Sequence, residues 1–425
     1  MKKLIHKYKK YSAYKDSGIE WLGDVPKDWE VKRLKYVLQL INDKTLSLNS
    51  NKLYIGMENI ESYTGRYIRT ENEVEGLANK FKINNILFGK LRPYLTKVYL
   101  AHFNGLCSTE FLVYKTNYPK FFHKLMLSNS FINIVDSSTY GAKMPRASSE
   151  FIGNIPLAFP PIAEQTAIAN FLDDKTGKIE KAISQKEKMI ALLKERKQII
   201  IQNAVTGKWT ITKGKHEITP PEKLKDSGVE WIGKIPKHWE VKRLKYVSTI
   251  LMGQSPDNQY VNDKKHGIPF LQGNAEFNIL YPNAKLWCSK PKKISNIGDL
   301  LFSIRAPVGA INISNKVYCI GRGLCAINAI NIKKEYLYYC AINFKIDLNK
   351  YITGSTFEAV STFNMRNIFT PLPPLSEQKS IVNFIESQFT KIDKAINLQE
   401  RQIEKLKEYK AILIDNAVTG KIKVN

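Results

Sequence analysis

Lys15–Val37 is KDSGIEWLGDVPKDWEVKRLKYV, and Lys225–Val247 is KDSGVEWIGKIPKHWEVKRLKYV. Eighteen of these 23 positions agree at an offset of 210 residues, so the chain is written twice. A second pair lies further on: Pro160–Lys208 matches Pro373–Lys421 without a gap at an offset of 213. Both members open on Pro-Pro, pass through Glu164-Gln165 or Glu377-Gln378, and close on Asn-Ala-Val-Thr-Gly-Lys. Self-similarity at a fixed period sets the architecture before any local assignment does. The order is box, variable segment, long helix, then the same three again.

The repeated tails carry helix signals. Proline is tolerated only in a helix's first turn, which places starts at Pro160-Pro161 and Pro373-Pro374. Gly207 and Gly420 stand where a left-handed C-terminal cap is wanted. Between them runs a seam with three-and-four spacing: Leu172, Ile179, Ile183, Ile190, Leu193 and Ile200 in the first copy. Ile385, Phe389, Ile392, Ile396, Ile403, Leu406 and Leu413 form the second. Both seams are broken by polar residues at matching places, Lys186 with Gln399 and Lys197 with Lys410. Such a stripe predicts a coiled coil. About 40 residues at ~1.5 Å each make a rod of roughly 60 Å. Only about 20 residues join the end of the first rod to the second box, and they would cover a return path of that length only if almost fully extended, so an antiparallel pair is expected.

The segments between box and rod, 38–155 and 248–368, hardly match each other. Shared landmarks are Leu87-Phe88 with Leu301-Phe302, and Gly105-Leu106-Cys107 with Gly323-Leu324-Cys325. Short β-branched and aromatic runs such as Lys52–Ile60, Lys97–Ala101, Phe111–Tyr114, Ile268–Leu271 and Ala310–Ile313 are broken by Gly, Asn and Pro, which predicts small α+β or mostly-β domains. The segmentation is 1–37, a basic start with the first box; 38–155, a first variable domain; 156–207, the first helix. Linker and second box (208–247), a second variable domain (248–368) and the second helix (369–425) complete it. The fold class is α+β, two globular domains alternating with two paired helices about an internal pseudo-twofold.

Net charge is +26. By segment it is +5, +5, +2, +5, +7 and +2 in the order just given, so the helices carry little of it. A polyanion is the expected partner, and nucleic acid is the commonest. The two basic clusters of the variable domains supply candidate DNA contacts: Lys90, Arg92, Tyr94, Lys97, Lys143 and Arg146 in the first, Lys292, Lys293, Arg305 and Arg322 in the second. Gln272 and Asn274 join the second set, because amides fit the adenine edge as arginine fits guanine. Most lysines are expected on phosphates, where they give no sequence discrimination.

Five cysteines, none in a Cys-x-x-Cys pair, point to reduced thiols, a cytosolic setting and neither a disulfide scaffold nor a zinc site. The five lysines of Met1–Lys10 precede no apolar stretch, so no signal peptide is expected. Gly207-Lys208 and Gly420-Lys421 lack the rest of a phosphate loop, and no methyltransferase Asn/Asp-Pro-Pro-Tyr/Phe or His-Glu-x-x-His motif occurs. Asp24 with Glu30-Val31-Lys32 has the outline of a nuclease centre, but the internal copy puts Lys234 at the position of Asp24. Trp21, Trp29, Trp231 and Trp239 are expected as packing anchors between domain and rod.

With Pro26-Lys27-x-Trp29-Glu30-Val31-Lys32-Arg33-Leu34, its copy from Pro236 to Leu244, and the two Pro-Pro-x-x-Glu-Gln helix starts, the chain resembles the DNA-specificity subunits of type I restriction–modification systems over essentially its whole length. The resemblance implies a non-catalytic chain whose two target-recognition domains each read one half of a bipartite site in double-stranded DNA. It implies helices that set the spacing, two methyltransferase subunits docked on the body, and restriction subunits recruited to that core. S-adenosylmethionine, ATP and magnesium are then expected on the partner subunits, with no cofactor or metal in this chain, and the setting is a prokaryotic cytoplasm. A stand-alone DNA-binding decoy or regulator on the same scaffold is the alternative, and a coiled-coil adaptor with incidental charge is a third reading.

Overall fold

The computed structural model describes residues 8–47, 52–70, 76–141, 143–348 and 360–424. Lys2, Lys3 and Lys7 of the basic start lie outside the described residues. Compactness divides the chain into a unit of residues 1–188 with 399–425 and a unit of residues 189–398. The long helices run Ile162–Val205 and Leu375–Val418, 44 residues each. Each unit therefore takes one part of both helices.

Local chemistry sets the helix limits. Each helix begins directly after its Pro-Pro pair, and the Gln165 and Gln378 amides donate back to the carbonyls of Pro160 and Pro373 at 3.0 and 2.9 Å. Each ends at a glycine in the left-handed region, Gly207 at φ 68° and Gly420 at φ 74°.

In the first unit the helices pair as an antiparallel coiled coil. Glu180 accepts from Lys410 at 2.6 Å, and six residues further along Lys186 donates to Gln399, at 3.1 Å, and to Gln402. Leu172, Ile179 and Leu413 are buried in that unit's core, with Ile183 and Leu406 half-buried against it, and Ile403 is buried too. In the second unit Ile200, Ile385, Ile392 and Ile396 are buried, with Ile190, Leu193 and Phe389 packed on them. There Lys197 answers Asp393 and lies 4.5 Å over the Phe389 ring. The polar breaks of the seam thus face partners that hold the register.

The variable domains share one sheet plan. In the first, Gln39–Ile41, Phe111–Lys115, Ile86–Gly89 and Val98–Leu100 form an antiparallel sheet in that order. Ile86, Phe88, Val98 and Tyr114 turn to a core shared with the helices Pro119–Met126 and Asn129–Ser137. Leu87, Tyr99, Phe111 and Val113 turn the other way, onto a second sheet carrying Ile55, Phe81 and Cys107. Both faces are covered, which is why these runs read as nearly continuous apolar stretches. The second unit repeats this with Ser248–Met252, Leu324–Ala329, Leu300–Ser303 and Ile311–Ile313.

Sheet register corrects one expected equivalence. Gly105–Ser108 pairs in parallel with Tyr54–Ile55, placing Cys107 opposite Ile55. The strand in that role in the second unit is Tyr318–Ile320, with Ile320 opposite Leu271. Leu324 instead faces Ser303 as Phe111 faces Gly89. Cys107 therefore corresponds to Ile320 and not to Cys325. The shared Gly-Leu-Cys letters occupy consecutive strands, and pairing geometry, not side-chain identity, decides equivalence.

The boxes lock the units. Trp29 is fully buried; its indole donates to Glu164 at 3.2 Å, and Tyr11 donates to the same carboxylate. A Cβ on Gly420 would lie 2.4 Å from Pro26 Cδ, so the end of the second helix fits the first box only as glycine. The second unit repeats the device with Trp239 donating to Glu377 at 2.9 Å and Gly207 against Pro236. Lys9 bridges Lys423 in the first unit, where Tyr8 stacks edge-on against Phe171. At the corresponding place of the second unit stands an unbroken hairpin, Trp209–Thr212 with Lys215–Ile218, and His216 packs on Phe384. The Lys9–Lys423 bridge thus holds the place that the hairpin holds in the second unit.

Candidate nucleic-acid interface

In the first unit the basic cluster is built where the strand Ile86–Gly89 ends. Lys90 donates its backbone N–H to Glu110 and accepts from Ala147, while Leu91 and Tyr140 both bridge Arg146. The turn 90–97 is thereby clamped to the Tyr140–Arg146 bridge and to Ala147. Arg92 takes a left-handed conformation at φ 50°, its N–H held by Pro145 O at 2.7 Å, and it caps the 3-10 turn Pro93–Leu95. Thr96 closes that turn, also left-handed at φ 51°, and Tyr63 (φ 63°) donates to Thr96 O. Three non-glycine residues in that region cost of order 1–3 kcal/mol each and gather where a surface is over-determined for use.

The cluster separates once its partners are known. Arg92, Tyr94 and Lys143 are exposed, and Lys90 is half-buried. Among the described residues the Arg92 guanidinium donates only to Lys143 O, at 3.3 Å. Arg146 is committed inward: its Nε and Nη2 donate to Glu110 at 3.0 to 3.2 Å, and that pairing holds the guanidinium more firmly charged than usual. Lys97 donates to Met57 O at 2.5 Å, and burial pulls its pKa down. Neither Arg146 nor Lys97 offers a free cation; both brace the loop. Tyr63 and Tyr140, 61% and 65% exposed, extend the same surface. Composition gave no sign of Tyr63, since only its left-handed backbone and its link to Thr96 place it there.

In the second unit three loops meet at one end of the paired sheets. Gly321 donates to Leu271 O, Gly323 to Gln272 O, and Ile304 to Gly323 O. A Cβ on Gly253 would lie 2.2 Å from Gly321 O, and one on Gly323 would lie 2.7 Å from Gln272 O, so glycine lets these backbones close up. The result brings Gln272, Arg322 and Arg305, all exposed, to one edge, with Asn274 starting the adjoining 3-10 turn. Gln272 is oriented by Ser255, whose hydroxyl accepts from its Nε2 at 3.1 Å and also accepts from the Arg322 N–H at 3.3 Å. Lys292 is paired with Asp257 at 2.7 Å. Lys293 is half-buried, and its carbonyl receives Ile320 N–H. Ser255, which no motif marks, is the organising residue of this edge.

The five cysteines are buried and free, and burial raises the Cys107, Cys325 and Cys340 thiols to about 12. Among the described residues no group of His, Cys, Asp and Glu is arranged to hold a metal ion. None of their helices is long and apolar enough to cross a membrane. Glu30, the centre of the nuclease-like fragment, pairs with Lys32 on the exposed strand Glu30–Arg33.

Comparison with known proteins bears on both units. The family model described as the type I restriction modification DNA specificity domain matches residues 26–188 and again 236–408. The putative type I restriction enzyme MjaX specificity subunit of Methanocaldococcus jannaschii is 30% identical over 434 residues, covering 95% of this chain and 96% of that protein. The EcoBI specificity subunit of Escherichia coli is 26% identical over 69% of this chain and 64% of its own length. Among solved structures, one chain from work on complex assembly and conformational transition of the type I system superposes with a TM-score of 0.69 at 26% identity. It covers 93% of this chain and 98% of its own. The HsdS subunit from Thermoanaerobacter tengcongensis gives 0.53 at 26% identity, over 94% and 98%.

Proposed function

Because the chain belongs to the DNA-specificity family of type I restriction–modification systems, we propose that each of its variable domains reads one half of a bipartite double-stranded DNA site. One observation carries this reading: the two domains share a sheet plan and near-identical mounts, yet their exposed loop ends carry different side chains. Arg92, Tyr94 and Lys143 form the reading edge of the first domain, and Gln272, Arg305 and Arg322 that of the second. Arginine suits the guanine edge and glutamine the adenine edge of the major groove. Lys90 and Lys293 serve as phosphate contacts that set orientation, whereas Lys292 is held by Asp257.

The paired helices fix the gap between half-sites and, with the boxes, carry the methyltransferase and restriction subunits. The chain itself catalyses no reaction, a reading supported by the absence of phosphate-loop, methyltransferase and hydrolase motifs from the sequence. S-adenosylmethionine, ATP and magnesium belong to the partners, and the work is done on DNA in a prokaryotic cytoplasm.

The test is a domain exchange. Residues 38–155 are replaced by the variable domain of another specificity subunit, and modified adenines are mapped in cells carrying the methyltransferase. One half of the modified sequence changes and the other stays. A change in both halves, or in neither, refutes the modular reading.

A further inference from the structure

The two units mount their boxes alike but close the corner beside the box tryptophan differently. In the first unit Tyr11 closes it. Its hydroxyl donates to one oxygen of Glu164, and its ring stands edge-on to Trp29 at 6.1 Å and 77°. The Trp29 indole donates to the other oxygen at 3.2 Å.

Strand register identifies the counterpart of Tyr11. Lys423 and Thr210 stand 213 positions apart, so the bridge of Lys9 to Lys423 corresponds to Glu217 opposite Thr210 in the hairpin. Tyr8 and His216, one residue earlier, agree with this, because they pack on the equivalent rings Phe171 and Phe384. Two residues beyond Lys9 and Glu217 stand Tyr11 and Thr219. Thr219 is buried, but its hydroxyl turns to Gly207 O at 2.8 Å and lies 3.0 Å from the Thr210 hydroxyl, away from Glu377. A cavity of about 270 Å³ opens there, lined by Trp209, Pro236, His238, Trp239, Glu377 and Ile381. Pro236, Trp239 and Glu377 are the copies of Pro26, Trp29 and Glu164, so the cavity takes the corner that Tyr11 fills in the first unit.

A large side chain exchanged for a small one in a packed corner leaves a space that can accept the missing group as a separate molecule. We propose that this corner of the second unit is a binding site for one phenolic ring, and that Tyr11 displays the bound geometry within the same chain. The ring stands edge-on to Trp239, the arrangement aromatic pairs prefer, with Ile381 as an apolar wall. Its hydroxyl donates to Glu377. That carboxylate accepts from Trp239 at 2.9 Å and meets His238 Nε2 at 2.7 Å, which leaves about two of its roughly four acceptor positions. The Glu377 side chain is 41% exposed, so a ligand reaches it from solvent. The volume lies just below the ~300–1,000 Å³ of sites for drug-sized ligands, which suits a single ring rather than a nucleotide. An organic cation is also drawn to indoles and a carboxylate, but here His238 already stands on Glu377 where an ammonium would have to sit. A free phenol and a tyrosine side chain of another chain share this chemistry, and the test separates them.

The full chain is titrated with para-cresol, and the indole N–H signals are followed by heteronuclear NMR. One site is expected, moving the signals of Trp209 and Trp239 and leaving those of Trp21 and Trp29 still. The methyl ether of para-cresol, which cannot donate, should bind at least tenfold more weakly. N-acetyltyrosinamide binding as tightly as para-cresol assigns the site to a tyrosine side chain, and its exclusion assigns it to a free phenol. Thr219→Tyr supplies the ring from within and should abolish binding. Thr212→Trp, at an exposed position on the rim, should do the same if Thr219→Tyr folds poorly. Tyr11→Thr should open a second site in the first unit, so that para-cresol binds twice per chain and raises the lowered thermal midpoint. No binding to the unsubstituted chain overturns the proposal. So does binding that survives both Thr219→Tyr and Thr212→Trp, a methyl ether that binds as well as the phenol, or tighter binding of para-methylbenzylamine, which would give the corner to a cation.

Discussion

Replacing Arg92 with glycine separates recognition from folding at the reading edge of the first domain. Arg92 holds φ at 50°, a conformation that costs an L-residue about 1–2 kcal/mol and costs glycine nothing. Glycine gives back about 0.5–1 kcal/mol through the greater freedom of its unfolded chain. The side-chain bond that disappears, guanidinium to Lys143 O at 3.3 Å, is long and exposed, worth roughly 0.5 kcal/mol. The backbone bonds to Pro145 and Leu95 survive the change. These contributions nearly cancel, so folding stability should move by less than about 1 kcal/mol. Loss of one bidentate guanine contact, in contrast, removes ~1–3 kcal/mol of discrimination, about 5- to 160-fold between correct and substituted half-sites. Urea unfolding measures the first quantity. Competition binding with a panel of half-site variants, backed by mapping of modified adenines, measures the second. A loss of more than about 2 kcal/mol in stability with an unaltered modified sequence would make Arg92 a cap of the turn and refute its role as a reader.

Arg146→Ala should behave in the opposite way, lowering the urea midpoint because Glu110 loses its bidentate partner, with the same bases still modified. Gly420→Ala should destabilise by roughly 2–4 kcal/mol, because the left-handed backbone and the approach to Pro26 both resist a Cβ, whereas Gly18→Ala, at φ 66° with open space around it, should cost only about 1 kcal/mol in the same unfolding assay. His123 is buried, with its pKa pushed down to about 3 by the loss of solvent, against an unfolded value near 6.5. The unfolded chain binds the proton first, so the stability this residue gives is complete above pH 6.5 and drains as pH falls toward 3. His123→Gln should flatten that part of the pH–stability profile, and an unchanged slope would refute the assignment.

The sequence by itself determined the duplication, the two long helices with their limits and seam, the basic character of the variable domains and the family. Those features are local or periodic: a proline pair, a glycine cap, a heptad stripe and a repeated box each act through neighbouring residues. Tertiary structure alone decided which charges are available. Arg92 and Arg146 look alike in sequence, and only the pairing of Glu110, 36 residues away, with Arg146 makes one exposed and the other a brace. Lys97 meets Met57 O across 40 residues, and Lys292 meets Asp257 across 35. Sheet register likewise decided that Cys107 corresponds to Ile320, against the literal match of three letters. The bridge of Lys9 to Lys423 was equally invisible, because its two residues stand more than 400 positions apart in the sequence. Patterning specifies which face of an element is buried; which residue it meets is settled by strand pairing and packing over long separations, and those contacts are what leave a charged side chain free for DNA or tied to a carboxylate.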